Sequence, residues 1–146
     1  MRGAMPRPSS DPCPCGRRDP RGTALGYAAC CGRYLDDFGR TPAPDAESLM
    51  RSRYTAFVCE RADYLLATWH LSKRPERLDF EADTRWLGLE VRTHRAVDAD
   101  HAEVEFVARQ RGRSGAATRL HERSRFVREA GEGGLLRWYY LDGDLR

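Results

Sequence analysis

Lysine is almost missing from this sequence: of its 25 basic residues, Lys73 is the only one that is not arginine. Such a skew is what a GC-rich genome produces, so it carries no functional conclusion. Also missing is any apolar run near the ~20 residues that cross a bilayer, so no membrane partner is expected. The opening MRGAMPRPSS has no apolar stretch after its basic residues, so a secretory signal is not expected either. The expected compartment is therefore the cytoplasm, where thiols stay reduced. The C-x-x-C spacing of a redox pair beside a βαβ unit is absent. No two of the four histidines sit at metal-ligand spacing, and no Ser-His-Asp order is readable. The glycines fall between strands rather than between a strand and a helix, so a phosphate loop is not expected. Formal net charge is only +3 over 146 residues, well short of the concentrated basic excess of a nucleic-acid binder.

What is present is cysteine, and it is concentrated. Residues 11–32, DPCPCGRRDPRGTALGYAACCG, hold Cys13, Cys15, Cys30 and Cys31, four of the five in the chain. Four soft donors in so short a stretch suit a tetrahedral Zn²⁺, and a bare Cys₄ set closes the coordination sphere. A closed sphere has no position for water or substrate, so a structural zinc site is expected, not a catalytic one. Two cross-loop disulfides and a redox pair are the alternatives, and the expected reducing compartment disfavours both. Four thiolates on one Zn²⁺ would lower the net charge by two units, which weakens the case for nucleic acid further. Arg17, Arg18, Arg21 and Arg33 flank these ligands; offsetting the negative metal centre is the favoured reading, a phosphate patch the other.

The stretch resembles the SEC-C zinc motif, first known from the C-terminus of the SecA translocation ATPase. The resemblance rests on CPCG at 13–16, Tyr27 and CCG at 30–32. It implies the same four ligands and a role in docking to a protein, with Arg17, Arg18 and Tyr27 on the exposed face. The spacer here is longer than usual for the motif.

The chain then divides. Residues 1–10 are expected to be flexible, 11–33 to form the knuckle, 34–44 a linker with Tyr34, Leu35 and Phe38 as apolar plugs, and 45–146 the main domain. Asp45 is a good helix N-cap, and Glu47 adds a favourable first-turn charge. Leu49, Met50, Arg53, Tyr54, Phe57 and Val58 recur at spacings of three and four, which predicts a helix to about Cys59. A second helix is predicted over residues 62–69. Four segments of period two follow: Leu87, Leu89 and Val91; Ala102 to Ala108; Leu120 to Phe126; and Trp138, Tyr140 and Asp142. Gly-rich breaks at 112–115 and 131–134 mark hairpins. Helices first and a meander afterwards predict an α+β fold with helices on one face of a curved antiparallel sheet.

The runs LMRSRYTAF (49–57), YLLATWH (64–70), WLGLEV (86–91), VEFVAR (104–109), LHERSRFVRE (120–129) and RWYYLDG (137–143) are similar to the YchJ-type bacterial proteins. The resemblance implies a zinc motif ahead of a cone-shaped domain of the nuclear transport factor 2-like fold. It implies no particular reaction.

A cone encloses a cavity, so its inward residues are candidates for chemistry. Glu122 shares a strand face with Leu120, Ser124 and Phe126, which places a carboxylate inside, where it needs a partner or a proton. Arg53 is the expected partner and Arg51 the second choice. A structural ion pair is the plainer reading; an acid or base assisted by Arg53 and Tyr54, in a pocket with Trp138 and Tyr140, is the functional one. His70 is expected at a helix C-terminus, His121 outward, His94 and His101 solvated beside a hairpin turn. Three functions follow, in this order: a zinc knuckle docking a protein partner on a cone scaffold; an enzyme transferring protons to a small molecule in the cavity; and RNA binding through the Arg-rich knuckle.

Overall fold

A computed structural model describes residues 11–146; the expected flexible stretch 1–10 lies outside the described residues. The knuckle is a small ribbon. Bridges join Pro12 to Gly26 and Arg18 to Ala24. Its tip is a turn in which Asp19 Oδ1 accepts from the amides of Arg21 and Thr23 at 2.9 and 3.0 Å. A 3-10 turn (Tyr27–Ala29) and one turn of helix, α1 (Gly32–Leu35), follow. Gly32 is required there: a Cβ would lie 2.7 Å from both the ring and the carbonyl oxygen of Tyr27.

Helix α2 (Ala46–Val58) begins where its cap demands, with Asp45 Oδ1 accepting from the Ser48 amide at 2.7 Å. Helix α3 (Ala62–Ala67) stops short of the predicted 62–69. The reason is competition from the sheet. Tyr140 donates its amide to Thr68 O at 2.8 Å and accepts the His70 amide at 2.7 Å, so residues 68–70 leave the helix to form a short parallel bridge. His70 accordingly lies beyond the helix. Its Nε2 meets Glu129 at 2.9 Å and its Nδ1 meets Ser72 Oγ at 2.7 Å, which fastens this loop to the sheet.

Strands β1 (Arg85–Asp98), β2 (His101–Arg111), β3 (Ala117–Ala130) and β4 (Leu136–Leu145) form one antiparallel meander in that order. Two bulges reverse the predicted faces. Trp86 pairs with Gln110 and Gly88 with Arg109, so Leu87 is the extra residue; Trp86 turns inward and Leu87 is 40% exposed. In β4, Phe126 pairs with Tyr140 but Arg125 with Asp142, so Leu141 is extra. Trp138 and Tyr140 stay inward as predicted, whereas Asp142 goes outward to accept from Arg125 at 2.7 Å. An odd residue in a bulge shifts the period-two pattern by one, which alternation alone cannot foresee. His94 is exposed as expected, but it lies within β1, away from the 98–101 turn, with Nδ1 3.7 Å from Glu47.

The cysteines, Tyr34, Leu35, the inner face of α2, Leu65 and the inner residues of β2 and β3 belong to one continuous buried cluster. The knuckle is thus seated on α2: Arg17 donates to Ser48 at 3.0 Å and Arg51 to the Cys15 carbonyl at 3.0 Å. Tyr34 and Leu35 are buried and Phe38 packs against the same cluster, edge-on to Tyr64 at 5.9 Å.

Candidate metal centre and cavity

The ribbon and α1 bring the two cysteine pairs face to face. Ligand sulfurs of Cys13, Cys15, Cys30 and Cys31 all lie within 4.8 Å of one another, and all four residues are buried. The Cys15 and Cys30 sulfurs are 3.6 Å apart, far beyond a bond, and none of the four cysteines is in a disulfide. Ligands at Zn–S distances of ~2.3 Å would place sulfurs about 3.8 Å apart, so the quartet fits a tetrahedral ion. Hydrogen bonding from Cys15 pulls the Cys13 thiol far below its ordinary range, and the same bond pushes Cys15 well above it. Thr55 Oγ1 lies 3.7 Å from the Cys13 sulfur. Around the quartet, Arg33 donates to the Cys30 carbonyl at 2.9 Å and Arg51 to that of Cys15. Of the four arginines expected to flank the ligands, Arg33 is the one bonded here, joined by Arg51 from α2; Arg17 bonds to Ser48 and Arg18 to Gly22 O.

The expected exposed face needs correction. Tyr27 is 5% exposed, with its hydroxyl donating to Asp36 at 3.1 Å, and Arg17 is spent on Ser48 and Glu47. The tip of the knuckle is exposed, with Arg18, Pro20, Arg21, Gly22, Thr23 and Ala24, as are Pro12, Gly16, Ala28, Ala29 and Arg33 outside it.

The other face of α2 borders a cavity of about 220 Å³ between helices and sheet. Arg53, Tyr54, Glu122 and Tyr140 line it as predicted; Trp138 does not, and faces a separate groove beside Phe38. Trp69, Trp86 and Ser124 line it too. Sequence reasoning missed Trp86 because of the bulge, and placed Trp69 only as the last residue of the predicted helix 62–69.

Glu122 and Arg53 share the cavity without forming the expected ion pair. Glu122 Oε2 accepts from Ser124 Oγ at 2.6 Å and from the Tyr140 hydroxyl at 3.0 Å. Arg53 instead donates from Nη1 to Leu65 O and Thr68 Oγ1, both at 2.7 Å. Its guanidinium lies over the rings of Tyr140 at 4.6 Å and Trp69 at 5.2 Å. The C-terminal end of α3 presents both acceptors, Leu65 O within the helix and Thr68 Oγ1 at its cap, so the bonding runs from helix to helix. Burial pulls Arg53 down to about 10, still protonated at neutral pH; Tyr140, Tyr64 and Glu122 oppose the fall. Arg51, the second expected partner, pairs with Glu47 at 2.9 Å. Burial raises Tyr54 to about 12, and its hydroxyl meets the Gly88 backbone, not Glu122. Gly143 backs the carboxylate: a Cβ there would fall on Glu122. His121 points outward as predicted and meets Glu105 at 2.6 Å. Among the described residues, no helix is long and apolar enough to cross a membrane.

Comparison with known proteins agrees with this geometry. Residues 45–143 match the family described as "YchJ, middle NTF2-like domain". A UPF0225 protein from Polaromonas is 69% identical over 134 residues, covering 92% of this chain and 93% of its own. The crystal structure of a SEC-C motif containing protein from Psychrobacter arcticus superposes with a TM-score of 0.77 at 33% identity, covering 94% of this chain and 84% of that one. The solution structure of a SEC-C motif containing protein from Rhodopseudomonas palustris gives 0.69 at 31% identity, covering 92% and 98%.

Proposed function

We propose a function on the premise that this chain belongs to the YchJ-type UPF0225 family, with a SEC-C-like cysteine cluster in front of an NTF2-like domain. The reading is a zinc-braced binding protein. Zn²⁺ held by Cys13, Cys15, Cys30 and Cys31 pins the N-terminal ribbon to α2, and the cone takes a small molecule beside Glu122. The zinc is structural because four protein thiolates leave it no open position. What carries the reading is the cavity: aromatic walls around a single carboxylate whose orientation is held by Ser124, Tyr140 and the bare Gly143. A proton-transfer enzyme remains the form this would take if Glu122 acts on the bound molecule; Arg53 and Tyr54 would then serve only as walls, since their polar groups are engaged elsewhere.

Metal analysis with native mass spectrometry tests the zinc half, and amide nuclear magnetic resonance signals test the binding half. The purified chain is expected to carry about one zinc, lost in the Cys30→Ser/Cys31→Ser variant. Ring compounds in solution are expected to perturb amide signals of cavity residues. A folded, zinc-free chain ends the brace, and a cavity that no small molecule perturbs ends the binding reading.

A second reading is favoured by one observation: the exposed knuckle tip carries Arg18 and Arg21. An acidic protein segment would dock there, in the cytoplasm, with Zn²⁺ holding the tip in place. Arg18→Ala/Arg21→Ala is expected to abolish such binding while retaining zinc; binding that survives this change rules the surface out.

A further inference from the structure

The sheet face opposite the helices divides by charge into two ends. Toward the 98–101 turn its arginines are paired with acids. Arg95 meets Glu103 at 2.7 Å, Arg123 meets Glu105 at 3.7 Å, and Arg125 meets Asp142 and Asp144 at 2.7 and 2.8 Å. Toward the 112–116 turn the pattern reverses. Arg85 stands opposite Arg111, and Arg109 opposite Arg119; Ala117 and Gly88 complete the two rows across β1, β2 and β3. All four arginines are exposed. Among the described residues none of the four has a carboxylate partner, and Arg111 donates only to Gly115 O. The nearby Arg113, on the turn, does have one, Asp83 at 3.1 Å.

Like charges directly opposite one another destabilise a sheet. Here two such pairs adjoin, because Arg109 and Arg111 are two residues apart on β2 and share a face. Gly88 makes room for the crowding. Arg109 Nη2 lies 3.6 Å from where a Cβ of Gly88 would stand, so this guanidinium reaches over β1. A net charge of +3 conceals the separation, since the paired end cancels within itself.

Charge density selects the partner. The two rows lie about 7 Å apart along the strands, and β1 to β3 spans about 10 Å, so four positive charges share a small patch. An extended acidic peptide presents same-side carboxylates about 7 Å apart, whereas a nucleic-acid duplex carries one negative charge per ~1.7 Å of its axis. The denser anion can neutralise four arginines at once. No Phe, Tyr or Trp stands in these rows or in the next one, Glu90, Val107 and His121, so unstacked bases have no platform here.

We propose that the sheet face carrying Arg85, Arg109, Arg111 and Arg119 docks on the phosphate backbone of a duplex nucleic acid without reading its bases. The inference is independent of the cavity and of the zinc site.

The test uses the full-length zinc-loaded protein in phosphate-free buffer with four labelled probes: a short RNA duplex, a DNA duplex of the same sequence, one of its single strands, and poly-glutamate. Fluorescence anisotropy reads the binding. Both duplexes are expected to bind more tightly than the other two, with log K falling against log salt at a slope of about −3 to −4. Arg109→Ala/Arg119→Ala is expected to weaken the duplexes about tenfold or more and to flatten that slope by about two. Its melting temperature should not fall, because a like-charge pair is relieved. Arg18→Ala/Arg21→Ala at the knuckle tip and Arg95→Ala at the paired end are expected to bind as the wild type does. Should the sheet variant unfold, amide shifts in the wild-type chain decide alone; the duplexes are expected to move signals of residues 85–88, 109–111 and 117–119. Poly-glutamate that moves these same signals and binds as tightly makes the partner an acidic protein and overturns the proposal. Tighter binding of the single strand, loss of duplex binding in the tip variant, shifts confined to another surface, or no binding at low salt also overturns it.

Discussion

The cysteine quartet and the cavity are both polar centres set in a buried core, on opposite sides of the same helix, yet they are assembled in opposite ways. The quartet draws its ligands from residues 13 to 31, positioned by local turns. The cavity draws its polar groups from α2, the segment after α3, β3 and β4, so it exists only once the sheet has closed on the helices. Helix α2 serves both. Thr55 faces the Cys13 sulfur, while Arg53 and Tyr54, two residues and one residue earlier, face the cavity. A short-range site can hold an ion because its donors are chemically identical and close in sequence. A long-range site can discriminate a molecule because its groups differ and are fixed at a distance from one another.

The contrast has consequences for stability, and the largest bears on whether the two regions are one unit. Cys30→Ser/Cys31→Ser should remove the ion and lower the unfolding free energy of the whole chain by several kcal/mol, since apparent zinc-binding energies in small structural sites run ~10–16 kcal/mol. Urea unfolding followed by sheet circular dichroism checks this. An unchanged midpoint would mean that the knuckle is an independent appendage, despite the shared core. Next, Arg53→Ala should cost about 3 kcal/mol, because Leu65 O and Thr68 lose a charged donor and two rings lose their cover. It should leave the zinc content intact. Loss of zinc together with stability would show that α2 transmits damage from the cavity to the quartet. The smallest effect is the sharpest. Gly143→Ala should cost about 1–2 kcal/mol by displacing the Glu122 carboxylate, and the cost should shrink in a Glu122→Ala background. Equal costs in both backgrounds would mean that Gly143 acts on something other than Glu122.

How legible each region was in the residues follows from the same contrast. CPCG and CCG could be read as a ligand set at once, since thiol chemistry needs no tertiary context to be recognised. The inward placement of Glu122 followed from alternation along β3, where no bulge intervenes before Ser124 pairs with Gly143. Alternation failed at Leu87, itself the extra residue of a bulge, and at Asp142, one residue from another. The Glu122–Arg53 pair failed for a different reason. Opposite charges facing one cavity suggested a bond, but charge says nothing of which neutral acceptors stand nearer. Tyr27 was misplaced because an aromatic in a polar loop looks exposed until the close approach of Gly32 shows that it is packed.

The amino-acid order alone determined the element types, the meander, the cysteine quartet and the side of β3 that carries Glu122, because periodicity, capping and ligand chemistry act over a few residues. The folded chain alone decided that the knuckle shares a core with the cone, that Trp86 rather than Leu87 faces inward, and that Arg53 bonds to Leu65 and Thr68. Those outcomes depend on bulges and on competition among hydrogen-bond partners distant in sequence. Such competition is settled by distances that come into being only when the layers pack.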